Sequence, residues 1–136
     1  MLIGEHTHTL DSKKRLSLPA KFRSELGEVV VLTRGLDKCL FMFDQEAWKE
    51  IIRKVEKLSI GQEDTRGMAR FLLAGAVEAE IDGAGRILVP EYLKTFARLE
   101  SKVVLLGVSN RVEVWDEKVW RTYQHRIEED AESMAQ

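Results

Sequence analysis

The sequence predicts an α+β fold: two tandem copies of one small β unit with flanking helices, related by a pseudo-twofold internal repeat. Three observations predict it. The only prolines, Pro19 and Pro90, each lie eight residues after an Asp and four after an Arg. A continuous apolar run rich in β-branched residues follows each proline after a short helical stretch. Longer stretches then place apolar residues at helical spacing. A duplicated pattern of this kind is read before anything else, because it sets the whole architecture.

The first copy opens with a strand over Glu5–Leu10 that runs into Asp11-Ser-Lys-Lys-Arg15. Gly4 precedes Asp11 by seven residues, as Gly75 precedes Asp82. The second copy opens with a strand over Val77–Ile81 and continues as Asp82-Gly83-Ala84-Gly85-Arg86. Its glycines suit a tight turn that needs positive φ. Pro19 and Pro90 then start short helices, Ala20–Leu26 and Glu91–Arg98, where a missing N–H costs nothing. Gly27 is a natural stop for the first. Val29–Leu32 and Val103–Leu106 are short, continuous apolar runs, read as buried strands. Turns at Arg34–Asp37 and Ser109–Asn110 lead to second strands, Leu40–Phe43 and Val112–Trp115. Asp44 and Asp116 follow as helix N-caps, each with a Trp four residues on, Trp48 and Trp120.

Ala47, Trp48, Ile51, Ile52, Val55 and Leu58 mark one face of the next helix. Ser59-Ile-Gly61 breaks it, and Gln62–Leu73 forms another with Met68, Phe71 and Leu72 inward. Val119, Trp120, Tyr123 and Ile127 form the stripe of a last helix. The expected organisation is a first repeat over 5–47, a helical connector over 48–75, a second repeat over 76–119, and a C-terminal helix with acidic tail over 120–136. A unit this small has little core of its own, so the copies pack together and share strands.

The composition is that of a soluble globular protein: 44 % apolar, 32 % charged, with a net charge of -2. No apolar run reaches the ~20 residues of a membrane helix. No signal-peptide pattern is present. One cysteine, Cys39, makes no internal disulfide, which fits a cytoplasmic setting. The charge is uneven. Residues 1–35 hold six basic side chains against four acidic ones, and residues 75–136 hold eight against twelve. The acidity belongs to the tail at Glu128, Glu129, Asp130 and Glu132.

The chemistry on offer is recognition, not catalysis. Nucleophile elbows, P-loops and dinucleotide fingerprints are missing, so no enzyme, cofactor or small-molecule substrate is expected. Asp11 and Asp82 can brace their turns by accepting backbone N–H groups, and can pair internally with the arginines. Arg15 and Arg86 carry donor forks suited to phosphate oxygens and guanine edges. Lys13 and Lys14 add cations to the first loop, either as phosphate contacts or as a solvated turn. His6 and His8 share one face of an edge strand turned to solvent. Metal binding would need further ligands, and none is expected. Cys39 reads as a small buried side chain.

The tandem Asp-x-x-x-Arg-x-x-x-Pro units, 71 residues apart and each preceded by Gly-x-x-x-x-x-x-Asp, closely resemble the MraZ family. That resemblance implies two AbrB-like swapped-hairpin β units. It implies a homo-oligomeric ring of eight or more copies. It also implies a sequence-specific, nucleoid-associated repressor of the division and cell wall gene cluster. Such a repressor binds direct repeats of double-stranded DNA in its own promoter through the Asp-x-x-x-Arg loops. Those loops fall at Asp11–Arg15 and Asp82–Arg86, with Arg15, Arg86, Lys13 and Lys14 as DNA contacts. Asp11, Asp82, Gly83, Gly85, Pro19 and Pro90 shape the motif. The first loop departs from the family pattern, since Lys14 stands where Gly is usual. If that position needs positive φ, Lys14 carries strain of about 1 kcal/mol. The more basic first loop is expected to contribute more affinity. The competing reading is a ring-forming scaffold or antitoxin-like module that binds protein.

Overall fold

Strands and helices follow one another in the same order twice. The structure, a computed structural model, describes residues 1–135. The first copy runs β1 (Leu2–Thr9), β2 (Arg15–Ser17), α1 (Ala20–Leu26), β3 (Val29–Arg34), β4 (Leu40–Asp44) and α2 (Gln45–Glu56). After α3 (Glu63–Leu73), the second runs β5 (Val77–Glu80), β6 (Arg86–Leu88), α4 (Glu91–Phe96), β7 (Lys102–Ser109), β8 (Val112–Asp116) and α5 (Glu117–Ala135). Gln136, the end of the expected tail, lies outside the described residues.

Six strands form one antiparallel sheet in the order β1-β7-β8-β4-β3-β5. From its centre outward the sheet reads β4-β3-β5 on one side and β8-β7-β1 on the other. The central register is self-complementary: Leu40 faces Val114, Phe41 faces Glu113 and Met42 faces Val112. A pseudo-twofold axis passes through the Phe41–Glu113 pair. The outer strands are exchanged. β1 of the first copy pairs along β7 of the second, from Leu2 opposite Ser109 to Thr9 opposite Lys102. β5 of the second copy pairs with β3 of the first. β2 and β6, one from each copy, form a separate two-stranded ribbon.

This exchange explains the continuous apolar runs. Successive strand residues point to opposite faces, and here both faces are covered. Val103 and Leu105 enter the main core with Leu16, Phe22, Ile87 and Leu93. Val104 and Leu106 enter a second cluster with Cys39 and Trp115, roofed by Val119, Trp120 and Tyr123 of α5. Asp44 caps α2 by accepting from the Ala47 N–H at 2.6 Å. Asp116 accepts from the Lys118 and Val119 N–H groups in the same way.

Several residues of the expected apolar helix faces lie further out than their spacing suggests. Met68 is 38 % exposed, because α3 meets the sheet through its C-terminal turn only. There the Thr33 hydroxyl donates to the Leu72 carbonyl at 2.7 Å and Phe71 packs edge-on against Phe96. Ile127 is 41 % exposed, since α5 outruns the sheet after its first turns. Trp48 and Trp120 are half-buried on the outer face, not interior. The face of β1 that carries His6 and His8 is turned to the core side, not to solvent: His6 packs edge-on against Phe22, with ring centroids 4.9 Å apart.

Candidate nucleic-acid interface

Each Asp-x-x-x-Arg loop is held by its own aspartate. Asp11 Oδ1 accepts from the Lys13 and Arg15 N–H groups, both at 2.9 Å, and Oδ2 accepts from Arg15 Nε at 2.8 Å. Asp82 repeats this with Ala84 N at 2.9 Å, Arg86 N at 2.9 Å and Arg86 Nε at 3.0 Å. The backbone closes both turns identically: Lys14 N donates to Asp11 O at 3.0 Å, and Gly85 N to Asp82 O at 2.9 Å. Three donated hydrogen bonds favour the charged carboxylate. The Arg15 N–H beside Asp11 and the Arg86 N–H beside Asp82 are the leading reasons both carboxyls sit below the usual carboxylate range.

The residue before each arginine is left-handed, with φ of 62° at Lys14 and 78° at Gly85. The condition set for strain at Lys14 is therefore met. Gly83 lies outside the left-handed region, and a Cβ there would meet nothing within 4 Å. The Lys14 ammonium is 3.2 Å from Glu91 Oε2 at the start of α4. Lys13 is exposed. Pro19 and Pro90 sit one residue ahead of α1 and α4, at φ of -58° and -59°. Their carbonyls accept the first helical N–H groups, from Phe22 and Arg23 and from Leu93 and Lys94.

The two loops are stitched to each other across the pseudo-twofold. Val89 N donates to Lys14 O at 2.8 Å, and Leu18 N donates to Gly85 O at 2.9 Å. Between these bonds Arg15 faces Leu88, Leu16 faces Ile87, and Ser17 faces Arg86. Leu16 and Ile87 point into the main core, at 0 % and 1 % exposure. Alternation then sends Arg15, Ser17, Arg86 and Leu88 to the opposite, outer face. The arginines are diagonal neighbours on that face, with Cα atoms about 7–8 Å apart. Their side chains remain 35 % and 31 % accessible, so each is anchored at Nε while its outer nitrogens reach solvent. Two forked cations on the outer face of the ribbon present N–H donors of the kind that pair with phosphate oxygens or guanine edges.

Sequence reasoning identified the loops but missed two neighbours from the short helices. Glu91 faces Lys14, and Arg23 of α1 lies against Gly85. Only the strand exchange brings them there. Among the described residues, no group of three or more His, Cys, Asp or Glu is placed to hold a metal ion. Cys39 is fully buried, its thiol near the Leu36 carbonyl, and burial pushes its pKa up. No helix among the described residues is long and apolar enough to cross a membrane.

The family described as "MraZ protein, putative antitoxin-like" matches residues 1–71 and again residues 72–136. A protein named transcriptional regulator MraZ from Caldanaerobacter subterraneus subsp. tengcongensis is 48 % identical over 136 residues, covering 100 % of this chain and 95 % of that protein. One of the same name from Carboxydothermus hydrogenoformans is 45 % identical over 138 residues, covering 98 % and 96 %. Another from Ligilactobacillus salivarius is 45 % identical over 136 residues, covering 100 % and 95 %.

Proposed function

We propose that this chain, which belongs to the MraZ family, is a transcriptional regulator that represses its targets by binding DNA through the β2–β6 ribbon. The observation that carries this reading is the shared outer face of Arg15 and Arg86, one from each repeat. Lys13 and Lys14 flank it as phosphate contacts. The DNA is double-stranded and carries direct repeats upstream of the protein's own gene, in the division and cell wall cluster. The protein works in the cytoplasm at the nucleoid, without cofactor, metal or catalysis.

One ribbon offers only a few phosphate contacts, too few for tight binding alone. A homo-oligomeric ring of eight or more copies would let neighbouring ribbons engage successive repeats at high effective concentration. Direct repeats suit a rotational array that meets one face of the duplex. Repression is then occlusion of the promoter. A protein of pI near 6.0 can bind DNA this way because the local charge of the contacting loops, not the net charge of the chain, meets the phosphates.

Fluorescence anisotropy on the upstream duplex tests the assignment. Arg15→Ala and Arg86→Ala each lower affinity more than Lys38→Ala, because Lys38 lies in the β3–β4 turn near Trp115 and Tyr123. Equal losses from Arg15 and Lys38 would contradict it. The scaffold reading has its own support in the open groove beside Trp115, Val119 and Tyr123, rimmed by Asp37, Lys38, Thr122 and Arg126. It predicts that none of these substitutions alters DNA binding.

A further inference from the structure

The outer face of the ribbon carries four side chains, and the pseudo-twofold relates them in pairs. Arg15 matches Arg86, and Ser17 matches Leu88. The first pair is alike and the second is not. Leu88 is 58 % exposed, the most exposed large apolar side chain on any strand among the described residues. Single exposed apolar side chains are ordinary on a protein surface. This one stands directly opposite Arg15 in the ladder, and two residues along the same face from Arg86.

The fold does not require a leucine at this position. Its neighbours Ile87 and Val89 turn inward and are buried, as are their counterparts Leu16 and Leu18. At the matching place on the other strand, Ser17 holds the same ladder with a polar side chain. Core packing therefore fixes the inward residues and leaves the outward ones free. An exposed leucine gains nothing from water and gains from a partner that covers it. Its side chain has no charge and no hydrogen-bonding atom, so a phosphate is not that partner. The apolar group that DNA presents at a base edge is the C5-methyl of thymine, in the major groove. The guanine acceptors that suit the two arginine forks lie in that same groove.

We propose that Leu88 is a base-reading residue of the ribbon, packing on the C5-methyl of a thymine beside the base that Arg15 meets. Cross-strand partners on one face have Cβ atoms about 4.5–5.5 Å apart, so the two side chains reach neighbouring bases of one groove. Ser17 offers a hydroxyl where Leu88 offers methyl groups, and the two strands of the ribbon read different bases. A fully twofold face would suit a palindrome. This break gives the contact a direction, which suits the direct repeats of the proposed target. The assignment rests on the DNA-binding reading of the ribbon.

The test is fluorescence anisotropy on the upstream duplex, on versions in which each thymine in turn is replaced by deoxyuridine, and on a scrambled duplex, across a salt series. Deoxyuridine keeps the base pair and lacks only the C5-methyl. Wild type, Leu88→Ala and Arg86→Ala are compared, with thermal melts in parallel. One methyl-sized apolar contact is worth about fourfold in affinity. Wild type is expected to lose about that much at one thymine position of the repeat. Leu88→Ala is expected to bind the unmodified upstream duplex about fourfold more weakly and to be indifferent to deoxyuridine at that same position. Its salt slope, its affinity for the scrambled duplex and its melt stay those of wild type, because no charge is lost. Wild-type affinity in Leu88→Ala, alongside a weakened Arg86→Ala, would overturn the inference and leave the ribbon reading intact. A loss in Leu88→Ala that adds in full to the loss at every deoxyuridine position would overturn it too. A loss shared by both duplexes, with a lowered melt, would overturn it in favour of a structural role. Equal binding of wild type to the upstream and scrambled duplexes would remove sequence reading by the ribbon and this inference with it.

Discussion

Asp11 and Asp82 decide whether the arginines stand ready. Each carboxylate fixes its turn and holds the Nε of its arginine, so the guanidinium is already oriented for the proposed DNA contact. Both carboxyls titrate below the usual value of about 3.9. A depressed carboxylate contributes stability above its unfolded pKa and loses it as pH falls through the lower folded one. The braces should therefore hold across pH 5–8 and fail only below about pH 4. Carbon NMR titration of the two carboxyls checks this; midpoints at or above the ordinary value would contradict it. Glu91 gives a prediction of opposite sign. Glu91→Gln removes the partner of Lys14, and DNA affinity is expected to rise a few fold with a steeper salt slope. The Asp–Arg spacing was legible in the sequence, since it is local. Glu91 and Arg23 were not, because each reaches its loop from the other repeat.

At the scale of elements, the ribbon depends on what lies beneath it. Leu16 and Ile87 are equivalent, both fully buried in the main core. Replacing either with Ala should cost about 2–5 kcal/mol, measured by urea denaturation. Near-equal costs follow from the pseudo-twofold, whereas a cost confined to one would show that the ribbon is not jointly supported. The strands, the two short helices and both Asp caps were legible, because proline, alternation and capping chemistry act within a few residues. Depth was less legible. Trp48, Met68 and Ile127 sit at good helical spacing yet stay partly exposed. Periodicity marks which face of a helix is apolar, not how far the sheet beneath extends. The histidine face of β1 was misjudged for a related reason: its partner β7 lies about a hundred residues away, and Phe22 closes over His6 from a third element.

At the scale of the molecule, neither repeat is complete alone. β1 finds its partner in the second repeat and β5 in the first. A fragment of residues 1–71, taken alone, leaves β3 without β5 and β1 without β7. It is expected to be unfolded as a monomer, and to fold only as a dimer that rebuilds the exchange. Circular dichroism with light scattering checks this, and a folded monomeric fragment would contradict it. The same exchange brings Arg15 and Arg86 onto one face, so the proposed DNA surface belongs to the pair of repeats.

The most direct measurement is binding to the DNA immediately upstream of this protein's own gene, against a scrambled duplex, across a salt series. The account predicts tighter binding to the upstream DNA by about 10³-fold or more at physiological salt. It also predicts that Arg15→Ala and Arg86→Ala each abolish the preference. Equal, steeply salt-dependent binding to both duplexes would contradict it and leave only a basic surface.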